Sequence, residues 1–88
     1  MCRSIRPLFN FEPPASEDEV RASALQFVRK LSGFTRPSKG NEVAFNLAVD
    51  EVAEAAVRLL QSLHTISPPR DREQEAQKAR ARAKARYA

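Results

Sequence analysis

The sequence predicts an all-α protein: a helical hairpin with an extended N-terminal arm and a basic C-terminal helix. Two segments carry apolar residues at the three- and four-residue spacing of an amphipathic helix. A capping box and a Pro-Pro pair mark where this helical region begins and ends. Residues 76–88 are mainly Ala and charged residues, a composition that favours helix.

Residues 1–15 are predicted to form the extended arm. Pro7, Pro13 and Pro14 lack backbone donors, and each disfavours helical geometry in the residue before it. The arm also carries four large apolar residues: Ile5, Leu8, Phe9 and Phe11. We therefore expect the arm to pack against the rest of the chain.

The first helix is predicted over residues 17–32. Ser16 and Glu19 have the spacing of a capping box, in which each side chain bonds the other residue's backbone N–H. Gly33 suits the left-handed residue that closes a helix. The predicted core-facing stripe of this helix consists of Val20, Ala24, Phe27, Val28 and Leu31.

The second helix is predicted over residues 42–65, with Asn41 or Ser38 as its N-cap and Pro68-Pro69 after its end. Its predicted core-facing stripe consists of Phe45, Ala48, Val49, Val52, Ala56, Leu59, Leu60 and Leu63. Val43 and Leu47 lie on the opposite side, so we expect both to be exposed.

The chain divides into a body, residues 1–69, and a basic tail, residues 70–88. In the tail, Asp71 is a candidate N-cap and Gln74 occupies its box position. The body contains eight Lys or Arg and eight Asp or Glu, whereas the tail contains seven and three. The whole net charge of +4 therefore belongs to the tail, which predicts that electrostatic contacts with partners are made there.

The stripe of the second helix is longer than that of the first, so a two-helix hairpin leaves part of it uncovered. The uncovered residues are predicted to be Leu59, Leu60 and Leu63. We expect a second copy of the chain to cover them in a homodimer. The alternative is that the arm folds over the same surface within a monomer.

Four stretches of the chain have a distinctive sequence: Met1-Cys2-Arg3-Ser4-Ile5, Leu8 to Ala15, Val28 to Phe34 and Pro68-Pro69-Arg70. Together they resemble one family of short prokaryotic proteins, known as domain of unknown function 2277, and the opening Met-Cys-Arg is the most specific of them. The resemblance covers nearly the whole chain and implies a complete small protein. It brings no activity, ligand or catalytic residue.

Cys2 is the one side chain in the sequence able to act as a strong nucleophile. Removal of Met1 would place a free amine beside its thiol, and Arg3 and Arg6 would favour the thiolate. The simpler interpretation, which we favour, is that Cys2 is a small apolar contact of the arm.

Two basic regions are candidate sites for a polyanion. The first surrounds the loop between the helices and consists of Arg29, Lys30, Arg36 and Lys39. The second is the tail, with a cation at every second position: Lys78, Arg80, Arg82, Lys84 and Arg86. Both would bind phosphate groups without reading a base sequence. A plain connection and a solubilising end are the alternatives for the loop and the tail respectively.

Two further groups are better explained as solvent-facing. His64 lies near the predicted end of the second helix, where a protonated imidazole would be favoured. Asp50, Glu51 and Glu54 form a carboxylate cluster, but the His partners that helical metal sites use are missing. We therefore predict no metal site and no cofactor.

Composition narrows the classes of function. The single Cys excludes an internal disulfide, and with one His the sequence lacks the ligands for a Cys/His zinc site within one chain. No apolar run approaches the length of a membrane span or a signal peptide, so we expect no membrane contact and a cytoplasmic location. The sequence favours a small accessory protein that works by binding, through polyanion contacts of the tail and the loop, with nucleic acid or an acidic protein as the partner. Protein–protein packing through the second helix is the alternative. An enzyme that uses Cys2 is the least favoured, and we assign no catalytic residue.

Overall fold

The computed structural model describes residues 5–87, and Cys2 and Arg3 lie outside them. The chain forms three helices, α1 (Glu17–Ser32), α2 (Glu42–Ser62) and α3 (Arg72–Tyr87). A 3-10 turn (Lys39–Asn41) precedes α2. Two short strands, β1 (Phe11–Glu12) and β2 (Arg70–Asp71), pair in parallel. The predicted all-α class is confirmed.

The bounds of α1 are as predicted, because both of its ends carry the expected caps. Ser16 Oγ accepts a hydrogen bond from the Glu19 N–H at 3.2 Å, and Glu19 Oε1 accepts one from the Ser16 N–H at 3.1 Å. At the other end, Gly33 has a φ of 80°, and its N–H donates to the Arg29 carbonyl at 2.9 Å. Only glycine adopts this left-handed geometry without strain.

The predicted end of α2 at residue 65 is wrong, since the helix ends at Ser62 and Leu63 is extended. Hydroxyl side chains compete with helical bonds in this stretch. Ser62 Oγ donates to the Arg58 carbonyl at 2.7 Å, and Thr65 Oγ1 accepts from the Ser67 N–H at 3.1 Å. The helix therefore ends well before the Pro-Pro pair.

The start of α2 differs from the prediction in its cap. Asn41 occupies the N-cap position, but its side chain makes no capping hydrogen bond, and neither does that of Ser38 at the start of the 3-10 turn. The two side chains bond to each other instead, Asn41 Nδ2 donating to Ser38 Oγ at 2.8 Å. The 3-10 turn leads into the helix without a side-chain cap.

The core lies between α1 and α2 and uses one residue per turn on each helix. Its members follow an exact four-residue spacing: Val20, Ala24 and Val28 on α1, and Phe45, Val49 and Ala53 on α2. As predicted, Val43 and Leu47 are exposed.

The core-facing stripes are narrower than the apolar spacing predicted. On α1, Phe27 and Leu31 are 45% and 77% exposed, so their assignment to the core is wrong. On α2, Leu59 and Leu63 are exposed and Leu60 is half-buried, in agreement with the prediction that α1 leaves this end of the stripe uncovered. The reason is geometric, because two helices that touch along one line cannot cover a stripe that extends around a third of each helix.

The arm packs against the chain as expected, with Leu8, Phe9 and Phe11 half-buried. Through β1 and β2 it holds the start of α3, whereas the side chains of residues 76–86 are all exposed. The radius of gyration is 15.7 Å, compared with about 12 Å for a compact domain of this length. The described part of the chain is therefore an extended assembly in which α3 projects from the hairpin.

Candidate binding surfaces

The junction between the arm and α3 contains hydrogen bonds to backbone carbonyls across some sixty residues of sequence. The Arg70 N–H donates to the Asn10 carbonyl at 2.8 Å, and Asn10 Nδ2 donates to the Pro68 carbonyl at 3.2 Å. Asn10 has a φ of 64°, a left-handed geometry that Asn tolerates better than most residues. This turn directs the arm alongside residues 68–71.

Arg72 fixes the first residue of α3 to both the arm and α1. Its Nε donates to the Pro13 carbonyl at 2.6 Å, and its Nη1 donates to Glu19 Oε2 at 2.8 Å. Its Nη2 is buried without a hydrogen-bond partner in the described part of the chain. The guanidinium carbon lies 5.7 Å from the centre of the Phe11 ring, and that of Arg70 lies 4.5 Å from it. Both distances are within the range of a cation–π contact.

Glu19 serves two structures with one carboxylate, since it also closes the capping box of α1. The hydrogen bond from Arg72 lowers the pKa of Glu19 below its ordinary value, and the Ser16 N–H lowers it further. The same bond raises the pKa of Arg72. Arg70 and Arg72 therefore hold the fold together at this junction, and the basic surface of α3 begins beyond them.

The projecting part of α3 is a helix that carries cations on two opposite sides. All five predicted tail cations lie on it with exposed side chains: Lys78, Arg80, Arg82, Lys84 and Arg86. Lys78 lies 3.8 Å from Glu75, and the other four make no ion pair with any described residue. No Asp or Glu follows Glu75, so residues 76–87 carry a formal charge of +5.

The structure separates the loop cations from those of α3. Arg29, Lys30, Arg36 and Lys39 lie around the far end of α1, whereas Arg72 meets α1 in its first turn. The helix between them is about 24 Å long. Arg29 also has a structural role there, because its Nε donates to the Thr35 carbonyl at 3.0 Å. The loop and the start of α3 thus lie at opposite ends of α1, and we treat them as two separate basic surfaces.

The carboxylate cluster on α2 is part of an exposed ionic surface. Asp50 forms an ion pair with Arg21 of α1. Together with Glu54 and Arg58 these residues border a shallow cleft between the helices. Among residues 5–87 there is no group of three or more His, Cys, Asp or Glu side chains placed to hold a metal ion.

The two remaining candidate residues are not brought into a site. His64 lies two residues beyond the end of α2, in an exposed segment, so its predicted position near a helix terminus and facing solvent is confirmed. Cys2 lies outside the described residues, and the interpretations of its thiol stay predictions.

An apolar groove runs between α1 and the first half of α2, which sequence analysis missed as a surface. It is bordered by Phe27, Leu31 and Phe34 on one side and by Ala44, Ala48 and Val52 on the other. Its volume is about 380 Å³, and none of the residues that line it is charged. The sequence carried part of the signal, because Phe27 lies at the edge of the apolar stripe of α1.

The comparisons with known proteins identify the family and no more. No curated protein and no solved structure matches the chain. No helix among the described residues is long and apolar enough to cross a membrane. The model of one family, described as "Uncharacterized conserved protein (DUF2277)", matches residues 1–78. The resemblance that the sequence shows is thereby confirmed, and the chain belongs to the DUF2277 family.

Proposed function

We propose that the protein acts by binding, and that α3 is its contact with the phosphate backbone of nucleic acid. The observation that carries this proposal is the exposure of five cations on a helix that no other element covers. Exposed cations gain affinity for a polyanion by releasing the counterions condensed on it. The proposal includes the cytoplasmic location that the sequence predicts.

The composition of α3 favours phosphate groups of nucleic acid, rather than a membrane surface, as its binding partner. Residues 76–86 contain no apolar side chain larger than Ala, so this helix has no face that could insert among lipid chains. They also contain no aromatic residue on which unpaired bases could stack. Contact with a double-stranded backbone, independent of base sequence, fits both features.

Most of the proposed contact lies outside the part of the chain that the family model matches. The match ends at residue 78, so Arg80, Arg82, Lys84 and Arg86 lie outside it. Lys78 is the last matched cation. The proposal therefore predicts that family members without such a tail lack the affinity for nucleic acid.

The test is the affinity of the full chain for a 20-base-pair DNA duplex across a series of salt concentrations. For five phosphate contacts, the logarithm of the association constant falls with the logarithm of salt concentration with a slope of about −4.5. A variant in which Lys78, Arg80, Arg82, Lys84 and Arg86 are all replaced by Gln keeps a similar helix propensity and loses the charge. We expect its slope to approach zero.

The control variant replaces Lys30, Arg36 and Lys39 by Gln and leaves Arg29 in place, because Arg29 bonds the Thr35 carbonyl. We expect this variant to bind the duplex nearly as the wild type does. Equal losses in both variants would show that loop and tail act together. Binding that survives neutralisation of α3 would contradict the proposal.

A second function, association with another protein, is favoured by one specific observation. The apolar groove leaves Phe27, Leu31 and Phe34 in solvent, although a soluble monomer has every reason to cover large side chains. The clefts between described residues are open surfaces that suit a partner, and we assign the protein no catalytic role. An acidic protein is the other candidate partner of α3. In that case α3 would bind the acidic protein in a salt-dependent way and would not bind the duplex.

A further inference from the structure

We propose that the apolar groove is closed by a second copy of this chain, in an antiparallel pairing of the two α2 helices. The groove has large side chains on the α1 side, Phe27, Leu31 and Phe34, and small ones on the α2 side, Ala44 and Ala48. Its occupant must therefore bring large apolar side chains that fit over small ones.

The chain itself carries such side chains in the last turn of α2 and directly after its end. Leu59 and Leu63 are 57% and 41% exposed. Leu59 continues a line of residues along α2, which reads Ala44, Ala48, Val52, Ala55, Leu59, and Leu63 directly follows the last helical residue. The four- and three-residue steps keep this line on one side of the helix.

An antiparallel pairing about Val52 brings the two halves of this line together. A residue seven positions after Val52 then lies level with a residue seven positions before it. Leu59 of one copy comes level with Phe45 of the other, between Ala44 and Ala48. The two-fold symmetry makes the contact reciprocal, so each copy supplies both a groove and the side chains that fill the partner's groove.

The exposed area of the chain supports an association of this size. The chain exposes 7317 Å², whereas a compact monomer of 9.9 kDa exposes about 5,200 Å². Stable interfaces take about 800 Å² from each partner. The excess of about 2,100 Å² includes the surface of the projecting α3, and it is larger than the area that one partner loses in such an interface.

Charge also favours a second copy over the chain's own basic helix as the occupant. No charged residue lines the groove, and α3 offers it nothing apolar larger than Ala between residues 76 and 86. The body, residues 1–69, has a formal charge of zero, so two bodies do not repel each other. We therefore expect the association to persist when salt weakens the contacts of α3.

The test is sedimentation equilibrium of the full chain at micromolar concentration, in low and in high salt. We expect a mass near 20 kDa, twice the 9.9 kDa of one chain. Leu31→Glu, in the groove, and Leu59→Glu are each expected to weaken the dimer at least about tenfold. Leu47→Glu is the matched control, because Leu47 lies on α2 with 54% exposure, close to the 57% of Leu59, but outside the groove.

A second measurement does not depend on how a buried charge affects folding. In a Cys2→Ser background, Val52→Cys is expected to form a disulfide between two copies on mild oxidation, because Val52 lies at the proposed two-fold axis. Leu47→Cys is expected to remain largely unlinked. The proposal would be overturned by a monomeric wild type or by equal cross-linking at both positions. It would also be overturned if Leu59→Glu left the dimer intact or if Leu47→Glu weakened it equally. None of these outcomes depends on DNA binding, so they are separate from the test of α3.

Discussion

Nη1 of Arg72 lies 2.8 Å from Oε2 of Glu19, so the first residue of α3 is hydrogen-bonded to the first turn of α1. The same guanidinium bonds the Pro13 carbonyl of the arm. One side chain therefore joins α3 to the arm and to α1, which lie 59 and 53 residues before it. The orientation of the proposed binding helix depends on this contact.

Arg72→Gln is expected to loosen the junction without unfolding the hairpin. Gln is too short to reach both Pro13 and Glu19, so the pairing of β1 and β2 loses its support. Amide hydrogen exchange of Arg70, whose N–H donates to Asn10, should quicken by about tenfold or more. Arg80→Gln is the control, because the Arg80 side chain is exposed. Equal exchange rates in the two variants would contradict the role of Arg72.

Glu19 should make stability depend on pH in a defined window. The Arg72 hydrogen bond lowers its folded-state pKa, so its contribution is present above the unfolded-state value of about 4.3. That contribution is lost as the pH falls through the folded-state pKa. Glu19→Gln should lower the free energy of unfolding at pH 7 and flatten its dependence on pH below about 4.3. Urea unfolding at several pH values measures both effects.

Glu17→Gln is the control for this pH experiment. Glu17 lies in the same turn of α1, but its carboxylate makes no ion pair with a described residue. Glu17→Gln should therefore leave most of the pH dependence of the free energy of unfolding in place. A Glu19 variant with the wild-type slope would show that the Arg72 bond adds nothing to stability.

The two N-cap residues should differ in their effect on stability. Ser16 accepts a bond from the Glu19 N–H, whereas the Asn41 side chain caps nothing. Ser16→Ala should lower the free energy of unfolding by about 1 kcal/mol. Asn41→Ala should change it by only a few tenths, about the scatter of a surface substitution. Urea denaturation compares the pair, and equal losses would contradict the capping geometry.

Two valines on α2 test the narrow core. Val49 is 4% exposed and Val43 is 82% exposed. Val49→Ala should cost about 2 kcal/mol through lost burial and the cavity that remains. Val43→Ala should stay within about 0.5 kcal/mol. Thermal or urea unfolding gives the difference, and similar costs would mean that another surface covers Val43 in solution.

Cys2 separates the binding proposal from the enzyme alternative. We expect the native thiol to react with iodoacetamide more slowly than the same thiol in urea, because a contact of the arm shields it. Faster reaction in the native protein would indicate an activated thiolate. A turnover that Cys2→Ala abolishes would then replace binding as the function.

Local signals in the sequence predict local structure well. The capping box at Ser16 and the left-handed Gly33 give both bounds of α1, because each depends on residues within one helical turn. The cap of α3 is predicted for the same reason, and Asp71 Oδ1 accepts from the Gln74 N–H at 3.0 Å. Helical spacing also predicts that Val43 and Leu47 are exposed.

Contacts between distant segments leave no such signal. Nothing in the dipeptide Arg70-Asp71 indicates a strand, and the choice of Phe11-Glu12 as its partner depends on the turn at Asn10. Arg72 resembles any other tail cation in the sequence. Spacing likewise finds the apolar stripe of α1 but does not reveal that Phe27 lies outside the contact with α2, because that depends on where the second helix crosses.

The pairing of β1 with β2 joins the arm to the start of α3. A ligand that reorients α3 changes the contacts of Arg72 with the arm, and displacement of the arm allows α3 to reorient. By thermodynamic linkage, a ligand that favours one orientation of α3 also changes how firmly the arm is held. Occupancy of the basic helix should therefore be detectable at Phe11, whose ring contacts both Arg70 and Arg72.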